Sequence, residues 1–299
     1  LPSAATLVVI RKVAYAYKTR RHAPATFKPL GSISLNRHSY KRDNTVAFYG
    51  LRCPIQARVG VRLSGKHQAT LSYDKGSHRF YIHQAIEVEE PIPYEAQGYL
   101  GCDLGVKNIL ADSDDVLYSG GHLNGLRKRH ARLRARLQAR GTRSSKRLLV
   151  KRRMKEGRFA RWVNHNISKQ VVEKAKDTLR GIAMEDLKGI RERITVRKAQ
   201  RRAHHAWSFD QLRLFLTYKA ALGGVPLALV DPRNTSRTCP ECGHVDKANR
   251  VSQSEFRCQA CGAPGNADII AARNIASRAA GNQPDMTPSG SHKFLALKG

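Results

Sequence analysis

The chain has no long apolar run, few acidic side chains and no initiator methionine. A membrane-spanning helix needs about 20 consecutive apolar residues, and no such stretch is present, so the sequence excludes a transmembrane helix. The first residues, Leu1 to Ile10, also lack the basic segment and cleavage site of a signal peptide. We therefore expect no secretory signal here, and we expect that the native N-terminus is missing.

Charge of one sign dominates the composition. Fifty-four Lys and Arg residues oppose 23 Asp and Glu residues, which gives a formal net charge of +31 over 299 residues. Such an excess repels itself unless a polyanion neutralises it, and this favours a nucleic-acid partner. A surface that is merely made soluble by charge is the alternative, but solubility needs a net charge of only about 2–8.

Cysteine is scarce, and its spacing favours a metal site in a reducing compartment over disulfide bonds. Cys53 and Cys102 stand alone among the six cysteines. The other four form two CxxC pairs separated by fifteen residues: Cys239, Cys242, Cys258 and Cys261. Four thiolates at this spacing predict a closed, structural zinc site, with a small hairpin at His244–Arg257. A redox pair without metal is the alternative. His244 is a further candidate ligand, which we interpret as a surface residue because the cysteines fill the site.

The first part of the chain is predicted to combine a helix end with short strands. Leu7 to Tyr17 has the pattern of an amphipathic helix. Apolar and polar residues then alternate from Ser32 to Val88, with predicted strands at Val46–Tyr49, Gln68–Tyr73 and Arg79–His83. This favours a β module of barrel or sandwich type, and the prolines Pro91 and Pro93 mark its boundary.

The rest of the chain alternates strands and helices in an informative order. Two tight turns make the first three strands antiparallel neighbours. The predicted strands are Tyr99–Asp103, Asn108–Ala111, Val116–Ser119, Gly181–Glu185 and Val225–Val230. The predicted helices are Leu126–Leu179 with a break at Gly141, Ser208–Leu222, and Ala267–Arg278 with Asn266 as its N-cap. The order β-β-β-α-β-α-β-α is that of an α/β, RNase H-like fold.

Three acidic residues lie on separate elements of this predicted fold. Asp103 ends the first strand, Glu185 ends the fourth, and Asp268 begins the last helix. In an RNase H-like sheet the first and fourth strands are adjacent and the last helix crosses their ends, so the three carboxylates should converge. Carboxylate oxygens suit Mg²⁺, which supports phosphodiester chemistry. Taken singly, each residue has an ordinary interpretation: a turn, an ion pair, a helix-start acid. Asp186 is a further candidate, but strand alternation directs it to the opposite face.

Two basic clusters are candidates for phosphate binding. Between Arg127 and Arg161, sixteen of 35 residues are Lys or Arg, and a leucine stripe (Leu126, Leu133, Leu137) predicts that one helix face docks on the protein. The segment Lys188–Arg202 contains seven more basic residues. A solvated charged face is the alternative interpretation. The nucleic-acid-binding candidates are Arg127, Arg129, Arg132, Arg134, Arg136, Lys151, Arg152, Arg153, Lys188, Arg197 and Arg201.

Several motifs together resemble a known family. They are Gly101–Asn108 (GCDLGVKN), Met184–Leu187 (MEDL), Asp231–His244 (DPRNTSRTCPECGH), Ser254–Cys258 (SEFRC) and Asn266–Ile275 (NADIIAARNI). Over Gly98 to Gly281 the chain resembles TnpB, the transposon-encoded protein also called OrfB transposase, and is similar to compact type V CRISPR effectors. The resemblance implies an RNA-guided, metal-dependent DNA endonuclease with a RuvC-type RNase H-like domain and an inserted four-cysteine zinc ribbon, in the prokaryotic cytoplasm at the nucleoid.

The resemblance also implies a domain division and a set of partners. The expected segments are an incomplete recognition-lobe end and β-rich wedge domain at 1–97, the RuvC-like domain at 98–231 with a basic helical region at 122–180, the zinc ribbon that binds target nucleic acid at 232–264, the final RuvC helix at 265–281 and a disordered tail at 282–299. Asp103, Glu185 and Asp268 would form the catalytic triad and hold Mg²⁺. Guide RNA and target DNA would be the partners, and no binding to a membrane is expected.

Two other functions stay open at this point. The same scaffold is compatible with an RNA-guided DNA-binding regulator that does not cut, although the three acids argue against it. A DNA-strand-transfer transposase is the other alternative, since a fold alone does not exclude it. We expect most of the family's recognition lobe to be absent from this chain, which leaves the activity of the chain alone open.

Overall fold

The structure is a computed structural model that describes residues 3–19, 29–35, 45–48, 51–54, 69–74, 78–85, 88–152, 155–186 and 209–281. The chain divides into two compact units, Leu1–Glu89 and Glu90–Gly299. Within the described ranges, none of the helices has the length and apolarity that crossing a membrane requires.

The first unit contains one described helix and five short strands. They are α1 (Ser3–Thr19), β1 (Ile33–Leu35), β2 (Thr45–Phe48), β3 (Leu51–Pro54), β4 (Ala69–Asp74) and β5 (Arg79–Gln84). Strands β1, β4 and β5 form an antiparallel sheet, and β2 pairs with β3. The predicted helix and the described parts of all three predicted strands are therefore confirmed, while Tyr49 and Gln68 lie outside the described residues and closure into a barrel or sandwich stays a prediction.

The second unit is built on a five-stranded sheet with helices on both faces. Its strands are β6 (Tyr99–Asp103), β7 (Asn108–Asp112), β8 (Leu117–Ser119), β9 (Gly181–Glu185) and β10 (Leu227–Val230). Its helices are α2 (Gly121–Arg140), α3 (Arg143–Arg152), α4 (Lys155–Asp177), α5 (Phe209–Gly223) and α6 (Ala267–Gly281). The strand order is β8-β7-β6-β9-β10, with β7 antiparallel to both β6 and β8, and with β9 parallel to β6 and β10. The first and fourth strands of the unit are thus neighbours, as predicted.

Side chains alternate between the two faces of this sheet, as strand geometry requires. On one face, Leu100 and Ile182 are fully buried in a cluster with residues of α4 and α5. On the other face, Ala183 and Val230 pack with Ile275 of α6. Successive residues along β6 or β9 therefore pack against helices on opposite faces of the sheet.

Helix α6 lies close to β6 because Gly101 has no side chain. A Cβ at this position would overlap the carbonyl oxygen of Ala272. Asp268 is four residues before Ala272 and shares its helix face, while Asp103 is two residues after Gly101 and shares its sheet face. The close approach therefore directs both carboxylates to one region. The Oδ1 of Asn266 accepts the backbone N–H of Asp268 at 3.0 Å, which confirms the predicted N-cap.

The basic helical region divides as predicted, although it begins earlier. Helix α2 ends at Arg140 and is followed by the cap residue Gly141, which adopts a left-handed φ of 62°, and the predicted break is confirmed. The helix starts at Gly121 instead of Leu126. The glycine-rich beginning is helical because Leu123 is buried in the sheet's main cluster, where packing outweighs weak helix propensity.

Candidate functional site

The three predicted acidic residues lie at one end of the central sheet. Asp103 and Glu185 are the last residues of the adjacent parallel strands β6 and β9, directly after the register pair Cys102–Met184. Asp268 lies in the first turn of α6 and is buried. We call Asp103, Glu185 and Asp268 the carboxylate cluster.

Burial and like charge perturb this cluster. Burial, followed by the negative charges of Glu185 and Asp268, raises the pKa of Asp103 from 3.8 to about 7. Burial also raises the pKa of Glu185. Because neighbouring carboxylates raise the pKa of Asp103, the nearby cations offset the negative charge around it only partly. This is the charge pattern that a bound divalent cation would relieve.

Glu185 is positioned by a threonine that is itself held in place by helix α6. The Oγ1 of Thr235 donates to Glu185 Oε1 at 2.5 Å, and this hydrogen bond opposes the rise in the pKa of Glu185. Thr235 is buried, and its carbonyl oxygen accepts the side-chain amide of Asn274 at 2.7 Å. The helix that carries Asp268 thus also supports the residue that orients Glu185.

Both oxygens of Asp268 contact protein donors. Asn108 Nδ2 donates to Oδ2 at 2.9 Å, and Arg250 Nη2 lies 3.4 Å from Oδ1. The positive charge of Arg250 also lowers the pKa of Asp103 and of Glu185. Arg250 therefore neutralises part of the carboxylate cluster, and its contact with Asp268 is a weak hydrogen bond that a cation can compete with.

The carboxylate cluster is less tightly gathered than the four paired cysteines. Among the described residues, only the four paired cysteines bring three or more candidate ligand atoms within 4.8 Å of one another. The three carboxylates are therefore more widely spread than that. Two ions about 4 Å apart, each with ligands at about 2.1 Å, accept oxygens that span roughly 8 Å. The donor set consists of carboxylate oxygens, which Mg²⁺ prefers.

A second acidic group in the same unit is already neutralised. Asp112 is fully buried and accepts Lys174 Nζ at 2.7 Å, and Asp114 pairs with Arg180 at 2.6 Å. Hydrogen bonds from Arg180 and from Lys174 to Asp114 hold the pKa of Asp114 well below its usual range. This group is a structural ion-pair network, and the contrast singles out the carboxylate cluster as the metal-site candidate. Asp186 lies 3.6 Å from Arg213 of α5, on the face away from α6, as strand alternation predicts.

The four paired cysteines have the geometry of a tetrahedral thiolate site. The Sγ atoms of Cys239 and Cys261 are 3.7 Å apart, those of Cys242 and Cys258 are 3.6 Å apart, and all four atoms lie within 4.8 Å. A tetrahedron with metal–sulfur bonds of about 2.3 Å has edges of about 3.8 Å, so a zinc-sized ion fits. His244 is not part of this group, which agrees with its interpretation as a surface residue.

Two similar turns build this cysteine site. In each, a glycine with positive φ follows the CxxC pair, Gly243 at 71° and Gly262 at 75°, and its N–H donates to the first cysteine's carbonyl at 3.0 Å. The backbone N–H of Cys261 lowers the pKa of the Cys258 thiol to about 6. Both turns therefore direct their cysteine side chains at a common centre.

The predicted hairpin within His244–Arg257 is present in reduced form, as one antiparallel bridge between Arg250 and Phe256. Strand β11 (Glu255–Arg257) pairs across the second cysteine turn with β12 (Pro264–Asn266). The intervening segment contains a 3-10 helix, Lys247–Asn249, and one bridge from Arg250 to Phe256. The pairing leads directly into α6, so the cysteine site is connected to Asp268 through β12.

The basic helices present cations on their outer surface. Helix α2 buries Leu137 and partly buries Leu126 and Leu133, which confirms that the leucine stripe docks. Arg127 faces inward, with its side chain 13% exposed and 3.6 Å from Glu156, while Arg134 is 51% exposed and 3.5 Å from the same carboxylate. The remaining described candidates are exposed: Arg129, Arg132, Arg136, Lys151 and Arg152. Arg153, Lys188, Arg197 and Arg201 lie outside the described residues.

Sequence reasoning missed Thr235, Asn108 and Arg250. Thr235 and Asn108 belong to the motifs that carry the family resemblance, so their motif membership was an available signal. Arg250 lies between the cysteine pairs, where nothing local distinguishes it from other arginines. Only the fold of the cysteine-containing segment brings it to Asp268.

Comparison with known proteins finds similarity to CRISPR-associated endodeoxyribonucleases and to a TnpB-like protein. A family model for the Cas12f1-like TNB domain matches residues 209–275. The CRISPR-associated endodeoxyribonuclease Cas12f1 of Sulfoacidibacillus thermotolerans is 32% identical over 235 residues, covering 72% of this chain and 54% of that protein. A TnpB-like protein of Methanocaldococcus jannaschii is 35% identical over 112 residues, covering 37% of this chain and 40% of that protein.

One solved structure has a related fold. A cryo-EM structure of a Cas12f1–sgRNA–target DNA complex matches with a TM-score of 0.50 and 21% identity, covering 70% of this chain and 44% of its own. The resemblance to TnpB and to compact type V effectors is thereby confirmed. The chain spans about half the length of the curated relatives it matches, 54% and 40% for the two proteins above.

Proposed function

We propose that this chain is the nuclease part of an RNA-guided, metal-dependent DNA endonuclease, with a RuvC-type RNase H-like domain and a zinc ribbon. The observation that carries the proposal is the carboxylate cluster, in which burial and two neighbouring carboxylates raise the pKa of Asp103 to about 7. A protein tolerates such crowding when a cation balances it. The strand order and the position of α6 support the RNase H-like assignment.

Each residue of the site has a distinct role in this proposal. Asp103, Glu185 and Asp268 would hold Mg²⁺, and when bound, Mg²⁺ would activate water and stabilise charge on the scissile phosphate. Thr235 orients Glu185 through its hydroxyl. Arg250 holds Asp268 while the cation is absent and provides a positive charge toward the phosphate when it is present.

The cysteine site has a supporting role. Cys239, Cys242, Cys258 and Cys261 would bind structural Zn²⁺, because four thiolates leave no open coordination position for substrate. The segment that they fold carries Arg250 and leads into α6. Zinc therefore contributes to the carboxylate cluster by fixing the backbone that supports it.

Guide RNA and target DNA are the proposed partners. A Cas12f1 protein in the matched complex is bound to sgRNA and target DNA, and the net charge of +31 supports polyanion binding by this chain. The exposed arginines of α2 and the lysine and arginine at the end of α3 would contact phosphates, which sets register without reading sequence. In such systems base pairing to the RNA selects the target.

The proposed domain division places the nuclease domain at 98–231, the zinc ribbon at 232–264 and the final nuclease helix at 265–281. The compact unit that begins at Glu90 supports the first boundary. The wedge-like segment at 1–97 and the tail at 282–299 complete the division. Because the relatives come from a bacterium and an archaeon, we propose action in the prokaryotic cytoplasm at the nucleoid.

The test is to express the chain with its flanking locus, sequence the RNA that co-purifies, and assay Mg²⁺-dependent cleavage of matching DNA. Asp103→Ala should abolish cleavage and leave RNA binding nearly unchanged, because it removes a metal ligand and no basic residue. Undiminished cutting by this variant would refute the assignment. DNA products that are joined instead of cut would identify a strand-transfer enzyme. RNA-guided DNA binding without cutting would identify a regulator.

A further inference from the structure

Trp162 on helix α4 is a large apolar side chain that the fold leaves in solvent. Its exposed fraction is 60%. A buried tryptophan removes about 150–250 Å² from water, so an exposed one forgoes a large stabilisation. Single exposed apolar residues are common on protein surfaces, but Trp162 differs from those because it stacks on a second aromatic ring and has arginines beside it.

One aromatic ring contacts Trp162 directly, and a second ring packs on the first. The ring of Phe159 lies 5.8 Å from that of Trp162, centroid to centroid, with an angle of 23° between their planes. Phe159 in turn packs against the main core cluster, and the ring of His122 lies 5.6 Å from it. The indole therefore stacks on Phe159, which itself packs on the core, while most of the Trp162 side chain stays exposed.

Cationic residues flank the exposed indole. Arg158 is one helical turn before Trp162 and Arg161 is next to it in sequence, and both side chains are exposed. Residues four apart lie on the same helix face, so Arg158 and Trp162 point to the same side. An aromatic face beside guanidinium groups is the arrangement by which proteins bind single-stranded nucleic acid.

We propose that Trp162 stacks on an unpaired or terminal base of the bound nucleic acid, while Arg158 and Arg161 contact the adjacent phosphates. A base inside a duplex has both faces covered by its neighbours, so a single indole reaches only a base that is unpaired or at an end. This inference rests on the proposed nucleic-acid binding, but it concerns a surface of α4 and none of the residues around the carboxylate cluster.

Fluorescence tests the stacking directly. The sequence contains two tryptophans, Trp162 and Trp207, so Trp207→Phe leaves Trp162 as the one indole reporter in the full chain. Iodide should quench this variant, and a covered indole that iodide does not reach would overturn the proposal. Titration with a short single-stranded RNA or DNA should then quench the emission further. Comparison of the RNA with the DNA oligonucleotide shows which of the two nucleic acids provides the stacked base.

Matched ligands separate stacking from charge. An abasic DNA strand of the same length carries the phosphates but no bases. Trp162→Leu should weaken binding of the base-containing strand about 5- to 150-fold and leave binding of the abasic strand unchanged. Trp162→Phe should retain most of the affinity because it keeps an aromatic face. The double variant Arg158→Gln, Arg161→Gln should weaken both ligands alike and reduce the salt dependence of binding.

A control variant and a second readout complete the design. Val150 of α3 is also exposed, at 70%, and Val150→Ala should change neither affinity. Fluorescence anisotropy of the labelled oligonucleotide reports total binding in the same titration. Tight binding without indole quenching, and with equal affinity for Trp162→Leu, would overturn this inference alone. Failure of the full chain to bind any oligonucleotide would overturn this inference and also remove support from the proposed function.

Discussion

Replacement of Asp103 by asparagine should stabilise the folded protein in the absence of divalent cations. The pKa of Asp103 is raised from 3.8 to about 7 by burial and by the two nearby carboxylates. That rise corresponds to about 4 kcal/mol of unfavourable free energy for the ionised form. Asparagine has the same shape, carries no charge and has an amide that can donate to neighbouring carboxylates. We therefore expect Asp103→Asn to increase the free energy of unfolding by about 2–4 kcal/mol at about pH 8.

The pH dependence of this stabilisation has a defined sign. Below about pH 4 the carboxyl is protonated in both the folded and the unfolded state, so the variant should gain nothing. Between about pH 4 and 7 the unfolded chain releases the proton first, and the wild-type protein loses stability as pH rises. Above about pH 7 the difference should be constant, since the carboxyl is ionised in both states.

Urea denaturation monitored by circular dichroism, in EDTA and across this pH range, measures the difference. Added Mg²⁺ should stabilise the wild-type protein by binding to the folded state, and it should stabilise the variant much less. A variant that is less stable than wild type in EDTA at about pH 8, or a difference that does not change with pH, would refute the electrostatic account.

Three further changes test other parts of the structure. Gly101→Ala places a methyl group against the Ala272 carbonyl and should lower the free energy of unfolding by about 3 kcal/mol. Gly157→Ala, with open space around it, should raise the free energy of unfolding by about 0.5–1 kcal/mol. Equal melting temperatures for the two variants would contradict the packing argument. Cys261→Ser should release bound zinc, measured by mass spectrometry, and abolish cleavage while the circular dichroism of the main sheet persists; full activity without zinc would show that the ribbon does not support the site. Arg250→Gln removes a positive charge that lowers the pKa of Asp103. The pH at which the affinity for Mg²⁺ rises, measured by isothermal titration calorimetry, should therefore be higher in this variant. A lower or unchanged pH would count against this role of Arg250.

The elements that define the sheet could be predicted from local sequence. Strands β6 and β9 have the predicted bounds because each is a short apolar run that ends in a charged residue. Their adjacency followed from the order of elements, and it brought Asp103 and Glu185 together. The cysteine site was also predictable, since its ligands repeat a short local pattern.

Features that depend on long-range contacts were not predictable in this way. Strand β11 pairs with residues on the far side of the second cysteine turn, and the alternation of a three-residue strand is too short to identify its partner. Arg250 reaches Asp268 only because the cysteine-containing segment folds back onto α6. Helix α2 begins in a glycine-rich segment whose propensity is poor, and the burial of Leu123 decides its start. In each case tertiary contacts outweighed the local signal.

The most direct test of the account is a crystal structure of the protein grown with Mn²⁺, which substitutes for Mg²⁺ and is located by its anomalous scattering. We expect anomalous peaks between Asp103, Glu185 and Asp268, within roughly 2.0–2.4 Å of their carboxylate oxygens, with Arg250 displaced from Asp268. Mn²⁺ bound elsewhere in the crystal, with these three carboxylates still separate and free of metal, would contradict the central claim.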